Sequence, residues 1–295
     1  MPKFVKNMSG SAAVLLAAAL WSLSPFLVKL VTIDPVLLPC LRGLMAGLLL
    51  LPFIKWRDIV WDKRLPLLLL SFTGVGLLCV LAFRYTAAAN ATALYYSSPL
   101  WIFLITSLSA RRLHKPALPS VGLLLLGIII IVLEPKNGAN QFGNLMGVAA
   151  GLAFASFALS YNRLPTEKRL SYLGLCNLCS CPLIFLVVLL TQAQSLAQIA
   201  SYSPYIFLML LVMAVTQQVV PYYLYGLGLA KLPIFRVSML SLGEFVLSPV
   251  WTLLFLGDVP TLYGLIGWLL ILAGLLLNVF TVNREERRNI ADARL

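Results

Sequence analysis

Glu244 is the residue on which chemistry can be built. It stands eleven residues into an apolar stretch that opens at position 233, about 17 Å along a helix rising 1.5 Å per residue. An ionisable side chain at such a depth in hydrocarbon costs roughly 2.5 to 3.5 kcal/mol on insertion scales, so these groups face a bundle interior and mark a pathway. Ser241 and Ser248, at i−3 and i+4, share its helical face. An earlier apolar stretch carries Tyr95, Ser98 and Ile102 at matching positions, and the two faces are expected to meet across a cavity. Further polar and aromatic residues interrupt other apolar stretches: Trp21, Ser22, Ser24 and Pro25; Phe154, Ser156, Phe157, Ser160 and Tyr161; Gln217, Gln218, Pro221, Tyr222, Tyr223 and Tyr225. Proline inside a helix frees a backbone carbonyl and kinks the chain, which makes Pro221 the expected hinge.

The chemistry this set can do is recognition. A carboxylate facing aromatic rings suits a cationic or zwitterionic organic molecule: the acid pairs with an ammonium group, and each ring adds a cation–π contact of roughly 0.5 to 2 kcal/mol. The expected substrate contacts are Glu244, Ser241, Ser248, Tyr95, Ser98, Trp21, Ser24, Gln217, Gln218, Tyr222, Phe154 and Phe157. The alternatives for Glu244 are a coupling proton or a purely structural carboxyl. Arg42 and Arg236 lie close enough to the ends of their stretches to snorkel, and structural pairing is the favoured reading for both.

Other chemistries lack their parts. Catalysis needs a nucleophile and base or a metal cluster, yet the single histidine, His114, sits among Arg111, Arg112 and Lys115. Cys176, Cys179 and Cys181 have no histidine or acid nearby, and their spacing spreads them around a helix, so neither metal nor cofactor is expected. A channel would need rings of polar residues. No GxxxxGK[ST] loop occurs, so transport driven by ATP is not expected of this chain.

What must position these residues is a membrane bundle. Of 295 residues 61% are hydrophobic and only 11% charged, with a mean hydropathy of +0.95, against about 25% charged in soluble domains. The net charge of +12 does not point to nucleic acid, because the basic residues lie between apolar runs rather than on one face. Ten apolar stretches satisfy the length for a membrane crossing: 11–32, 35–54, 66–86, 88–109, 117–133, 143–163, 171–191, 204–229, 233–256 and 261–281. The first imitates a signal peptide behind Lys3 and Lys6, but it runs on to Val31 and is read as an uncleaved helix.

Seventeen of the 22 Lys and Arg residues fall in the termini and alternate loops that would share one side. Lys29, Arg84 and Lys136 fall on the other, which places both termini in the cytoplasm. A shift of 146 residues lays Ala82–Arg112 over Gly228–Asp258 with matching hydropathy. Five spans per half is odd, so the halves would be inverted, the arrangement of carriers that alternate access around a central site. The expected organisation is an all-α polytopic protein of a bacterial inner membrane. It has an N-terminal segment 1–10, a five-helix repeat at 11–133, a periplasmic linker at 134–142, a second repeat at 143–281 and a tail at 282–295. Expected partners are membrane lipid, a small organic substrate and a candidate coupling proton, with the protein a monomer or weak dimer.

Several local features resemble the EamA branch of the drug/metabolite transporter superfamily. They are Ala19-Leu20-Trp21-Ser22 in the first span, Arg42 within PVLLPCLRGLMAGLLLLP, the fourth span RYTAAANATALYYSSPLW, and Glu244 fourteen residues ahead of Asp258. The chain departs from the family at Glu244-Phe245, where many members have Glu-Pro, at Asp258 in place of a loop Glu, and at Arg112 where the first half usually ends in Glu. The resemblance implies secondary transport, by export or exchange, of amino acids, amines or related metabolites, with aromatic amino-acid exporters similar. Nucleosides, sugars or lipid precursors are the alternative cargo. It further implies that helices one, three, four, six, eight and nine surround the cavity, with five and ten at the periphery, where Gly267 and Gly274 suit close helix contact.

Overall fold

Apolar stretches with no water to satisfy their amides must bond internally, and helices do so within one segment. A computed structural model describes residues 8–111, 117–134, 138–232 and 234–292, and among these all regular structure is helical. The helices are α1 (Gly10–Ser22), α2 (Ser24–Leu30), α3 (Leu37–Leu50), α4 (Leu65–Tyr85), α5 (Ala88–Tyr95), α6 (Ser98–Ala110), α7 (Leu118–Val132), α8 (Gly138–Asn162), α9 (Arg169–Thr191), the short α10 (Gln194–Ala197), α11 (Pro204–Met213), α12 (Val220–Lys231), α13 (Ile234–Leu256) and α14 (Leu262–Asp292). Six continuous segments are long and apolar enough to cross a membrane, namely Gly10–Leu30, Leu65–Tyr85, Ala88–Ser109, Asn140–Asn162, Thr166–Thr191 and Pro204–Lys231. Four shorter apolar helices accompany them: Leu37–Phe53, Leu118–Val132, Leu240–Leu256 and Leu262–Asn278. The chain is a multi-pass membrane protein.

Two boundaries differ from the sequence expectation. Helix α8 begins at Gly138, inside the stretch read as linker, and α14 continues to Asp292, through most of the stretch read as tail. In the second case Glu285, Glu286, Arg287 and Arg288 are strong helix formers that carry the coil beyond the apolar run. Of the basic residues used for orientation, Lys3, Lys6, Arg112, Lys115, Lys136 and Arg294 lie outside the described residues, as does His114. The side chains of Arg236, Arg284, Arg287 and Arg288 do so too.

Three interruptions shape the bundle. Between α1 and α2 the chain turns at Leu23, with Pro25 in the first turn of α2. Between α5 and α6 it turns at Tyr96 and Ser97, with Pro99 in the first turn of α6. A π-helical turn, Ala214–Val219, joins α11 to α12 immediately before Pro221. Each proline lacks the N–H that would continue the ladder, and wide turns of this kind accommodate such a gap.

The heavily packed pairs each join an early helix to a late one: α4 with α8, α7 with α14, α3 with α9, and α1 with both α12 and α13. Helices α7 and α14 approach backbone to backbone, since a Cβ on Gly127 would stand 2.7 Å from the Gly267 carbonyl oxygen, and one on Gly274 would stand 3.0 Å from that of Ser120.

At the end of the bundle where α2 closes, Lys29 Nζ pairs with Asp258 Oδ2 at 2.6 Å. The same oxygen accepts from the Ala88 amide at 2.8 Å, the first N–H of α5, where a negative group is favoured. Gly257, at φ 64°, turns the chain so that Asp258 can reach back. Asp258→Ala is expected to cost about 1 kcal/mol or slightly more, the usual loss for a helix cap. Melting in detergent micelles reads this loss, and an unchanged midpoint would show that the contact contributes nothing.

Candidate functional site

An unbroken series of aromatic contacts runs through the interior, with Glu244 at one end. Tyr96 donates its hydroxyl to Glu244 Oε2 at 2.8 Å and lies 3.2 Å from the Ser241 carbonyl. Its ring is held between Tyr95, at 5.5 Å, and Phe245, at 5.2 Å, the latter stacked on Trp268 at 4.9 Å. Tyr95 continues to Phe154 at 5.2 Å, and Phe154 to Phe157 at 6.3 Å. Phe157 contacts Phe72, Tyr161 and Tyr222 at 5.4, 5.1 and 6.2 Å. Tyr222 ends the series against Trp21 at 5.1 Å. These rings come from α1, α4, α5 and the turn after it, α8, α12, α13 and α14, with Glu244 on α13.

Although they lie between helices, Glu244, Tyr95, Tyr96, Phe154, Tyr222 and Cys79 all keep part of their surface accessible. A Cβ added at Gly76 or at Gly226 would meet nothing within 4 Å. Gly76 is one turn beyond Phe72 and Gly226 one turn beyond Tyr222, so each shares a face with a ring of the cluster. The series thus joins buried core rings, Phe72 and Phe157, to partly accessible ones at Tyr95, Tyr96, Phe154 and Tyr222. Two surface recesses, about 420 Å³ beside Trp61 and Leu69 and about 630 Å³ beside Asp34 and Gln192, include none of these residues.

Trp21 and Gln217 bond each other's helix interruptions. Pro221 leaves the Gln217 carbonyl without its helical donor, and the Trp21 indole N–H supplies one at 3.1 Å. In return the Gln217 side-chain amide donates to the Leu20 carbonyl, at the α1–α2 break, at 2.9 Å. Trp251 donates its indole N–H to Ser22 Oγ at the same break, at 2.9 Å. The polar groups of Trp21 and Gln217 thus serve the backbone, while the Trp21 ring still faces Tyr222.

Not every expected residue is brought to the acid. Ser241 and Ser248 share its helical face, but their hydroxyls donate to their own helix, at the Val237 and Glu244 carbonyls, both 2.8 Å. Serine commonly satisfies itself this way in a helix. Ser24 and Ser98 open α2 and α6 directly after their breaks. The partner of Glu244 is Tyr96 rather than Tyr95, because the turn at Tyr96 and Ser97 ends the regular helical spacing there.

Sequence spacing also misplaced Arg42. Its side chain is only 5% exposed. With the Gln218 amide oriented to satisfy its neighbours, the amide oxygen accepts from Arg42 Nε and Nη2, both at 3.3 Å. Among the described residues no group of three His, Cys, Asp or Glu side chains is placed to hold a metal.

The profile of the EamA-like transporter family matches residues 8–133 and again residues 141–280. An uncharacterized transporter of Archaeoglobus fulgidus is 27% identical over 273 residues, covering 91% of this chain and 95% of that protein. The threonine/homoserine exporter RhtA of Escherichia coli K12 is 26% identical over 84% of this chain and 82% of its own. A probable amino-acid metabolite efflux pump of Salmonella typhimurium LT2 is 24% identical over 90% and 93%. In fold, a protein of known crystal structure superposes with a TM-score of 0.57 at 19% identity, over 92% of this chain and 98% of that one. These relatives are transporters rather than enzymes, and the chain belongs to the EamA-like transporter family of the drug/metabolite transporter superfamily.

Proposed function

We propose that the protein is a secondary carrier that moves an amino acid, an amine or a related zwitterion across the inner membrane by alternating access, in the direction of export or by exchange. The observation that carries this reading is Glu244: an acid between the helices, bonded to Tyr96 at the end of a continuous run of aromatic side chains. Such a group has an energetic reason to exist in a membrane only if something compensates its charge, and an ammonium group passing along aromatic rings does so. Two of the relatives, a threonine/homoserine exporter and a probable amino-acid metabolite efflux pump, agree with this substrate class.

The reading includes ten spans in two inverted halves, 11–133 and 143–281, with both termini cytoplasmic. The helix pairing supports it. Under a five-plus-five exchange the third-with-sixth contact (α4 and α8) maps onto the eighth-with-first (α12 and α1). The fourth-with-sixth contact (α5 and α8) maps onto the ninth-with-first (α13 and α1), and α3 with α9 and α7 with α14 map onto themselves. Carriers built this way rock one repeat against the other around the site.

Counterflow in proteoliposomes tests the function. Labelled aromatic amino acids, neutral amino acids and primary or quaternary amines are offered against the same unlabelled compounds. Saturable exchange of an amino acid or amine is expected. Flux that neither saturates nor shows counterflow would mean a pore, and exchange confined to nucleosides, sugars or lipid precursors would overturn the proposed substrate class.

A further inference from the structure

We propose that Cys40 and Cys181 are an oxidation site: peroxide joins the two sulfurs in a disulfide that ties α3 to α9 and stops transport. The formation of the bond stands by itself, while its effect on transport rests on the carrier reading.

All five cysteines are free thiols, and among the described residues Cys40 and Cys181 are the two whose sulfurs touch, at 3.6 Å. Cys40 Sγ also lies 3.5 Å from the carbonyl oxygen of Cys181, against the backbone of α9 itself. A disulfide needs Cα atoms about 4.4 to 6.8 Å apart, so the two helices must approach closely, and here they do. Cys40, Gly43 and Gly47 stand at i, i+3 and i+7 on one face of α3. A Cβ on Gly43 would stand 2.6 Å from Ser180 Oγ, and one on Gly47 would stand 2.9 Å from the Leu178 amide nitrogen. Small residues along a seam bring helix backbones together in this way, and closing the sulfurs to a bond of about 2.05 Å is then within reach of side-chain rotation.

Cys40 is only 2% exposed, whereas Cys181 is partly accessible, which gives the two sulfurs an order. Cys181 attacks peroxide first: an S–O bond forms, the O–O bond breaks, and the thiol proton leaves with the departing oxygen as water. Cys40 then attacks the sulfur of this sulfenic acid. The S–S bond forms, the S–O bond breaks, and a second water carries off the Cys40 proton. Two thiols lose two electrons, and one peroxide is reduced to two waters.

The pair packs with Val31, Ile33 and Val36 of the α2–α3 connection and with Leu196, Ile199 and Tyr202 of the segment joining α9 to α11. In the proposed orientation both connections lie at the periplasmic end, the compartment in which disulfides persist. Helix α3 belongs to the first repeat and α9 to the second, so the bond crosses the seam on which the halves rock.

The test is oxidation of the full-length protein in proteoliposomes with hydrogen peroxide, followed by alkylation of free thiols and digestion without reduction. A peptide pair joined through Cys40 and Cys181 is expected, with Cys79, Cys176 and Cys179 alkylated. In Cys40→Ser the cross-link is lost and dimedone captures the Cys181 sulfenic acid instead. Counterflow by the wild type is expected to fall to the protein-free background on oxidation and to return with dithiothreitol, while Cys40→Ser and Cys181→Ser keep their flux under the same treatment. Alkylated thiols at both positions after peroxide, or cross-links through other cysteines in preference, would overturn the site without any variant having to fold. A complete cross-link with undiminished flux would overturn the arrest. Failure of the carrier reading itself looks different: the reduced protein would then show no counterflow, whether or not the cross-link forms.

Discussion

Glu244→Gln is expected to lower counterflow by about a hundredfold, which corresponds to the roughly 3 kcal/mol attached to a buried charge pair. The amide keeps the volume and can still accept from the Tyr96 hydroxyl, so the helices around it have no steric reason to move. What it removes is the charge that an ammonium group would meet. Tyr96→Phe leaves the charge and deletes the 2.8 Å donor. A hydrogen bond to a charged group is worth about 1.5 kcal/mol or more, so this variant should fall about tenfold. The ordering matters as much as the size: transport kinetics indistinguishable from wild type in Glu244→Gln would remove the acid from the mechanism. Equal losses in both variants would make the Tyr96 contact, rather than the charge, the essential element.

The largest effect on folding is expected at Gly127. Helices in lipid gain little from burying apolar side chains, and their association depends on close packing and on small residues that admit it. A Cβ at Gly127 would lie 2.7 Å from the Gly267 carbonyl oxygen and 3.2 Å from the Ile271 amide nitrogen. Both are backbone atoms of α14 and cannot turn aside as a side-chain tip can. Gly127→Leu must therefore drive α7 and α14 apart, at a cost of about 3 kcal/mol, the upper end of ordinary overpacking. Gly122 lies in the same helix, and a Cβ there would meet nothing within 4 Å, so Gly122→Leu is the matched control and should leave stability unchanged. Thermal or sodium dodecyl sulfate unfolding of the two variants beside wild type measures the difference. Equal midpoints for both would mean that the close approach of α7 and α14 does not limit stability.

Much of this architecture is written in composition and spacing. Six of the ten apolar stretches became helical segments long enough to cross a membrane and four became shorter apolar helices, even where only Thr86 and Ala87 separate two of them, because an apolar segment without water must satisfy its own amides. The place of Glu244 between helices was legible for the same reason: a charge in such a stretch is too expensive to leave facing lipid. Even the freed carbonyl four residues before Pro221 could be read from the sequence, although its donor, the Trp21 indole, is 196 positions away and could not.

What escaped depends on geometry that periodicity does not carry. Spacing pointed to Tyr95 because it assumed an uninterrupted fourth helix, whereas the turn at Tyr96 and Ser97 leaves Tyr96 as the donor. Spacing put Ser241 and Ser248 on the acid's face correctly, yet rotamers turned their hydroxyls onto their own helix. Arg42, close to a helix start, reads as a side chain that can reach water. Only the three-dimensional arrangement shows the π-helical turn of another segment bringing Gln218 over it.

The paired bonds between Trp21 and Gln217 also limit how the protein can flex. Two interrupted helices would ordinarily supply two independent joints, one at Leu23 and one near Pro221. Here the two interruptions bond each other, so bending either segment alone would break the Trp21 bond to the Gln217 carbonyl and the Gln217 bond to the Leu20 carbonyl, leaving Leu20 with the Leu23 N–H at 3.4 Å. The two joints are thereby coupled, and tilting α1 and α12 in step is the motion that keeps both bonds.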